Sequence, residues 1–328
     1  MLQILSLNLF EKTPLDIGLS RIPEREKQLD HEVTENPTRI VDYARLIIVP
    51  AIWGGTFVAG KIVVATLTPL MGSFARYLIA CVALLVAAFA LEGGLPRLSG
   101  RQWLATFVLG LFGVFAYNLF FMGALTKLPA SRAALIIALN PAITIALSAV
   151  LLKERLSARR WAGVMLALLG VAVVVSRGDF GSFASGGVGA GELYMFAAVI
   201  SWALYTILGR KVLGGLSPLA ATNYAALWGT LLLGAVAAPH FNALHPLQFD
   251  WRMIVSLLYL GVLGTALAFV WYYMSVKKVG ASATSIFNNL VPVFGVAISV
   301  ALLGETLLPS MLIGGAIAIA GVMMVSRA

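Results

Sequence analysis

The chain has 328 residues, 60% of them hydrophobic and only 11% charged, with a formal net charge of +9. Ordinary soluble domains are about half apolar and about a quarter charged, so a soluble protein is excluded, and the surplus bases point to anionic lipid and cytoplasmic loops rather than to nucleic acid. Cys81 is the single cysteine, which excludes an intrachain disulfide.

Residues 1–42 carry eight acids against five bases, a net charge of −3, so the remainder carries +12. The opening "MLQILSLNLF" is apolar but too short to span a bilayer, and it lacks a basic leader region and a small-residue cleavage site. Residues 1–43 are therefore expected to be a cytoplasmic tail, mostly disordered. A surface-lying amphipathic segment over Leu2–Phe10 is the alternative.

From residue 44 onward, apolar runs of about 18 to 24 residues alternate with short polar joints, the length needed to cross a hydrocarbon core of roughly 30 Å as helix. They predict ten transmembrane helices over 44–66, 69–91, 101–123, 129–152, 158–176, 190–209, 217–238, 252–274, 280–303 and 308–326. No joint is long enough for a sizeable soluble domain.

In the first span Trp53, Phe57 and Lys61 recur every four residues and share a face, with Thr56 beside them. Arg76 in the second span and Arg132 near the start of the fourth join Lys61 as bases in the outer portions of helices. Together they could attract a carboxylate or phosphate, Arg132 with help from the positive end of its helix. The plainer reading is snorkelling to headgroups, or pairing with Glu192 at the start of span six. Trp103 and Trp251 stand at span ends as belt anchors. Tyr117 and Asn118 in span three are cavity candidates.

Asn140 in span four and Asn288 and Asn289 in span nine lie roughly 12–15 Å deep, near the midplane. Amides at that depth either face a water-filled cavity or hold the bundle together by interhelical hydrogen bonds. Pro141 and Pro292 follow them and predict kinks that release the carbonyls of Ile137 and Asn288. Trp202 and Tyr205 in span six are the counterparts of the Trp53 stretch. The cluster "WYYM" from Trp271 is read as interfacial, near the end of span eight. Glu154 and Glu305 sit at matched junctions and are expected to bond the turn into the next helix.

The passages "LLKERLSARRWAG" from Leu151 and "LLGETLLPSMLIGG" from Leu302 are copies. An offset of 151 positions pairs Gly110 with Gly261, Gly113 with Gly264, Pro141 with Pro292, Glu154 with Glu305, Gly163 with Gly314 and Gly170 with Gly321, while near the start of each half an offset of 149 pairs Trp53 with Trp202 and Pro69 with Pro218. The chain thus divides into a five-span repeat over 44–177, a linker over 178–189 and a second five-span repeat over 190–327. Five is odd, so the second copy is inverted. The first copy of the joint carries Lys153, Arg155, Arg159 and Arg160, and the second carries no base. Bases in short loops stay cytoplasmic, so both termini are expected inside.

These motifs, with "WGGTFVAGK" in span one and "GVMLALLGVAVV" after "LLKERL", resemble the EamA family of the drug/metabolite transporter superfamily over about residues 44–327. The resemblance implies a ten-helix inner-membrane carrier, with members that export amino acids and other small metabolites. Inverted repeats independently fit a secondary transporter whose site lies between the halves.

No acid lies deep in a span, which leaves a carboxylate proton relay without an obvious candidate, and no G-x-x-x-x-G-K-[ST] loop supports ATP-driven pumping. The expected function is secondary transport of small polar metabolites, amino-acid export foremost. The partners are a small-molecule substrate and membrane lipid, and no metal or cofactor is implied. A sugar-phosphate or nucleotide-sugar exchanger is the alternative, motivated by Lys61, Arg76 and Arg132. A membrane enzyme fits poorly with three histidines and scarce acids, and a non-transporting subunit or receptor is the third class.

Overall fold

The computed structural model describes residues 36–179, 188–212, 215–243, 250–280, 284 and 286–326. Most of the expected tail, and residues 180–187 of the expected linker, lie outside them. The described residues hold helices as their only regular secondary structure. They form α1 (Asn36–Val64), α2 (Pro69–Glu92), α3 (Gly100–Lys127), α4 (Ala130–Leu152), α5 (Ala158–Ser176), α6 (Ala190–Val212), α7 (Pro218–Ala237), α8 (Trp251–Lys278), α9 (Asn288–Leu303) and α10 (Pro309–Ser326). Nine contain a stretch long and apolar enough to cross a membrane, and α9 is a shorter apolar helix. The ten expected spans are present.

Local chemistry sets the boundaries. Thr68, Ser99, Ser157, Ser217 and Asp250 each cap a helix start by accepting a hydrogen bond from a backbone N–H three residues on. Proline follows the cap in α2 and α7, where its missing N–H costs nothing. α1 begins at Asn36 rather than near 44. The polar turn after Pro37 is helical although it carries no membrane-spanning signal, and hydropathy alone does not register it.

The repeat is also a symmetry of the packing. Added methyl groups at Gly163 and Gly321 would each run into the backbone or side chains of the other's helix, and the same holds for Gly170 and Gly314. The offset of 151 carries Gly163 to Gly314 and Gly170 to Gly321, so it exchanges these two contacts. α5 and α10 therefore pack antiparallel about a pseudo-twofold axis, with small residues letting the backbones approach. The end of α9 confirms the inversion. Glu305, just past it, reaches the start of α4, so the two helices run in opposite directions although they are repeat equivalents.

Two features interrupt the regular helices, again in matched places. α3 is π-helical over Gly110–Ala116 and α8 over Tyr259–Leu267. The N–H of Tyr117 reaches back to Phe112 and that of Ala268 to Leu263, one residue further than in an α-helix. α4 breaks between Ala130–Ile137 and Asn140–Leu152, and α9 opens with a 3-10 turn over Asn288–Leu290. Both irregularities sit just before a proline, as Pro141 and Pro292 require. The Asn288 carbonyl is not released, however. It accepts from the Val291 N–H because the tighter turn re-satisfies it.

Candidate functional site

The two π segments face the middle of the bundle. Gly113 touches the Tyr205 ring of α6, and its equivalent Gly264 touches the Thr56 methyl of α1. Neither glycine has room for a methyl group. The Trp53 indole N–H donates to the Gly264 carbonyl at 3.1 Å, and the Tyr259 hydroxyl donates to the Ile52 carbonyl at 2.8 Å. Each repeat's first helix is thus seated on the π segment of the other repeat.

Aromatic rings fill the space between these contacts. Trp202 lies 5.2 Å from Tyr117, 5.3 Å from Tyr205 and 6.3 Å from Phe269, while Phe269 lies 5.8 Å from Trp53. Phe269 thereby joins the two repeat-equivalent tryptophans. The Tyr272 ring lies 5.6 Å from Trp53, tilted by 48°, and the Tyr273 and Thr222 hydroxyls bond at 3.0 Å. The tyrosines of the "WYYM" cluster therefore turn inward rather than toward the interface. A small cavity of about 10 Å³, room for a single water molecule, lies here, with Tyr77, Thr265, Trp202, Tyr205, Ala225 and Phe269 among its lining residues.

Beside the cavity lies a buried polar cluster. Arg76 donates to Asn118 Oδ1 at 3.0 Å and to Thr265 Oγ1 at 3.3 Å. The Asn118 amide donates to the Val114 carbonyl at 2.8 Å, and the Thr265 hydroxyl donates to the Leu260 carbonyl at 2.8 Å. The second bond spans five residues and belongs to the π turn. Arg76 is 6% exposed and Asn118 and Thr265 are no more than 1% exposed. Arg76 does not snorkel.

The three outer bases do not converge. Lys61 donates to the carbonyls of Leu125 and Leu128 at 2.7 and 2.8 Å, closing the C-terminal end of α3. Arg132 pairs with Glu192 at 2.9 Å and also donates to the Val175 carbonyl. Glu305 bonds the N–H groups of Ala130 and Ser131 at 2.7 and 2.9 Å, and the Ser131 hydroxyl. It caps a helix of the other repeat, not the next helix in sequence, because inversion brings the end of α9 beside the start of α4. These ties gather at one end of the bundle.

The remaining candidates sit apart. Thr56 is buried and donates to the Trp53 carbonyl at 2.5 Å. Asn140 and Asn289 stand at the breaks of α4 and α9, half-buried with Asn288, and none of the three lines the narrow cavity. Asn140 Oδ1 and Asn289 Nδ2 are buried and have no hydrogen-bond partner among the described residues. Trp103 and Trp251 are exposed. Sequence reasoning missed Phe269, Thr265 and Thr222. Comparing the two repeats residue by residue through spans three and eight would have raised the first two.

The profile of the EamA-like transporter family matches residues 43–176 and 189–327. An uncharacterised transporter of Bacillus subtilis, YyaM, is 29% identical over 83% of this chain and 89% of its own. A probable terminal-alkyne amino-acid exporter of Streptantibioticus cattleyicolor is 30% identical over 78% of this chain and 83% of its own. A crystal structure at 20% identity superposes with a TM-score of 0.62 over 88% of this chain and 97% of that one, a likeness of fold.

Proposed function

Because the chain belongs to the EamA-like transporter family, we propose that it exports small polar metabolites, amino acids foremost, across the inner membrane by alternating access. The observation that carries this reading is the seating of each repeat's first helix on the other repeat's π segment, a pair of contacts beside the cavity that the pseudo-twofold exchanges. Exchanging the halves turns the Gly264–Thr56 contact into the Gly113–Tyr205 contact, so a state closed at one end has a counterpart closed at the other. Export and amino acids draw support from the relative named as an amino-acid exporter.

With bases of short loops kept inside, the end held by Lys61, Arg132–Glu192 and Glu305 is the outer one. Opening outward must then break the three hydrogen bonds of Glu305, because they join α9 of one repeat to α4 of the other. The organic-phosphate alternative is weakened by the same ties, since two of its three proposed cations are engaged in holding helix ends.

Counterflow of labelled amino acids in liposomes holding the purified protein tests the proposal. Uptake is expected, and Trp202→Ala should reduce it about tenfold by removing one wall of the cavity. Folded protein that moves organic phosphates and no amino acid would overturn it.

A further inference from the structure

The repeats differ where their symmetry matters most. At the offsets that align the halves, Arg76 corresponds to Ala225, Asn118 to Phe269 and Thr265 to Val114. The first member of each pair belongs to the buried polar cluster. The second members all line the cavity, together with Thr265. The cavity is therefore lined by the apolar members, and of the polar cluster only Thr265 reaches it, with Arg76 bonded directly behind Thr265. Packing alone would be met by similar residues in both halves, as it is at the glycines of α5 and α10.

Resting on the reading of an amino-acid carrier, we infer that Arg76 receives the substrate's carboxylate through the Thr265 side of the cavity and that the apolar lining of Ala225, Phe269 and Val114 receives its side chain. No carboxylate among the described residues pairs with Arg76, and its Nε has no hydrogen-bond partner. An amide and a hydroxyl orient a guanidinium without cancelling its charge, and at membrane depth an uncancelled charge favours an anion. The weaker of its two bonds, at 3.3 Å, goes to the cavity-lining Thr265, and this is the bond a carboxylate would replace. Charge balance selects the anion. One guanidinium is neutralised by one carboxylate, whereas a phosphate dianion needs a second cation, and Lys61 and Arg132 are held elsewhere. When the repeats part and widen the cavity, the ammonium group of a zwitterion can rest on the faces of Trp202, Tyr205 and Phe269.

Quenching of tryptophan fluorescence and counterflow in liposomes can be compared for L-leucine, L-phenylalanine, their amides and glycerol 3-phosphate. The intact protein is expected to prefer each acid over its amide by about tenfold or more, the size of one charge-assisted hydrogen bond. Arg76→Gln should abolish that preference by weakening binding of the acids more than that of the amides, and Arg76→Lys should keep part of it. Should Arg76→Gln fail to fold, the acid preference of the intact protein and its reduction in Arg76→Lys decide. Equal binding of acids and amides, a preference that survives Arg76→Gln, or stronger binding of the phosphate ester would overturn the inference. Amino-acid flux unaffected by Arg76→Gln removes this assignment alone. Folded protein that neither binds nor moves acid or amide removes the amino-acid reading with it.

Discussion

Arg132 and Glu192 carry opposite charges, each about 95% buried, at one end of the bundle. Their mutual attraction offsets the cost of taking both from water, so removing one partner costs more than removing both. Arg132→Met is expected to destabilise the protein by about 3 kcal/mol, and the double variant Arg132→Met/Glu192→Leu by clearly less. A double-mutant cycle on thermal unfolding in detergent checks this, and additive losses would show that the pair is not coupled. Glu305 acts differently. It closes the open N–H groups of α4, as a capping side chain does, so Glu305→Ala should cost about 1–2 kcal/mol. The type of residue at 305 was legible in the sequence, but its partner was not, since Ala130 and Ser131 lie 175 and 174 positions away.

At the scale of the helix, the close approach of α5 and α10 and the paired π segments set the geometry. Gly170→Val would drive side-chain atoms into the backbone of Gly314 and Ala318, which cannot yield as a flexible side chain can. A loss of monodisperse protein on size-exclusion chromatography, or a clearly lowered unfolding midpoint, is expected. Gly113→Ala instead presses on the Tyr205 ring. Transport should fall severalfold and the unfolding midpoint should drop, because the base of the Tyr205 ring as well as its edge stands within 3 Å of the added methyl group. The helices themselves were legible from hydropathy and their starts from capping residues. The π segments were not. A bond to the fifth residue back changes no hydrophobic period, and only the recurrence of Gly110 and Gly113 as Gly261 and Gly264 marked the place.

For the molecule as a whole, inversion predicts that the joint after α4 and the joint after α9 lie on opposite membrane faces. Glu154 and Thr306 are exposed in those joints, and the single native thiol, Cys81, is buried. On a Cys81→Ala background, a membrane-impermeant thiol reagent applied to intact cells should label Thr306→Cys and spare Glu154→Cys until the membrane is opened. The reverse pattern would place the termini outside, and labelling of both would remove the inverted topology.

Hydropathy, charge bias and self-similarity are sums over many residues, so ten spans, two repeats and their inversion follow from the sequence alone. The same holds for the exposure of Trp103 and Trp251, which follows their position at span ends. Whether Lys61, Arg76 and Arg132 act together depends instead on which way three side chains turn among neighbours far away in the chain. Packing sent Lys61 to the end of α3 and Arg132 to Glu192, and left Arg76 beside the aromatic cavity with neutral partners. An uncompensated charge is a property of a three-dimensional neighbourhood, and no pattern along the chain distinguishes it from a compensated one.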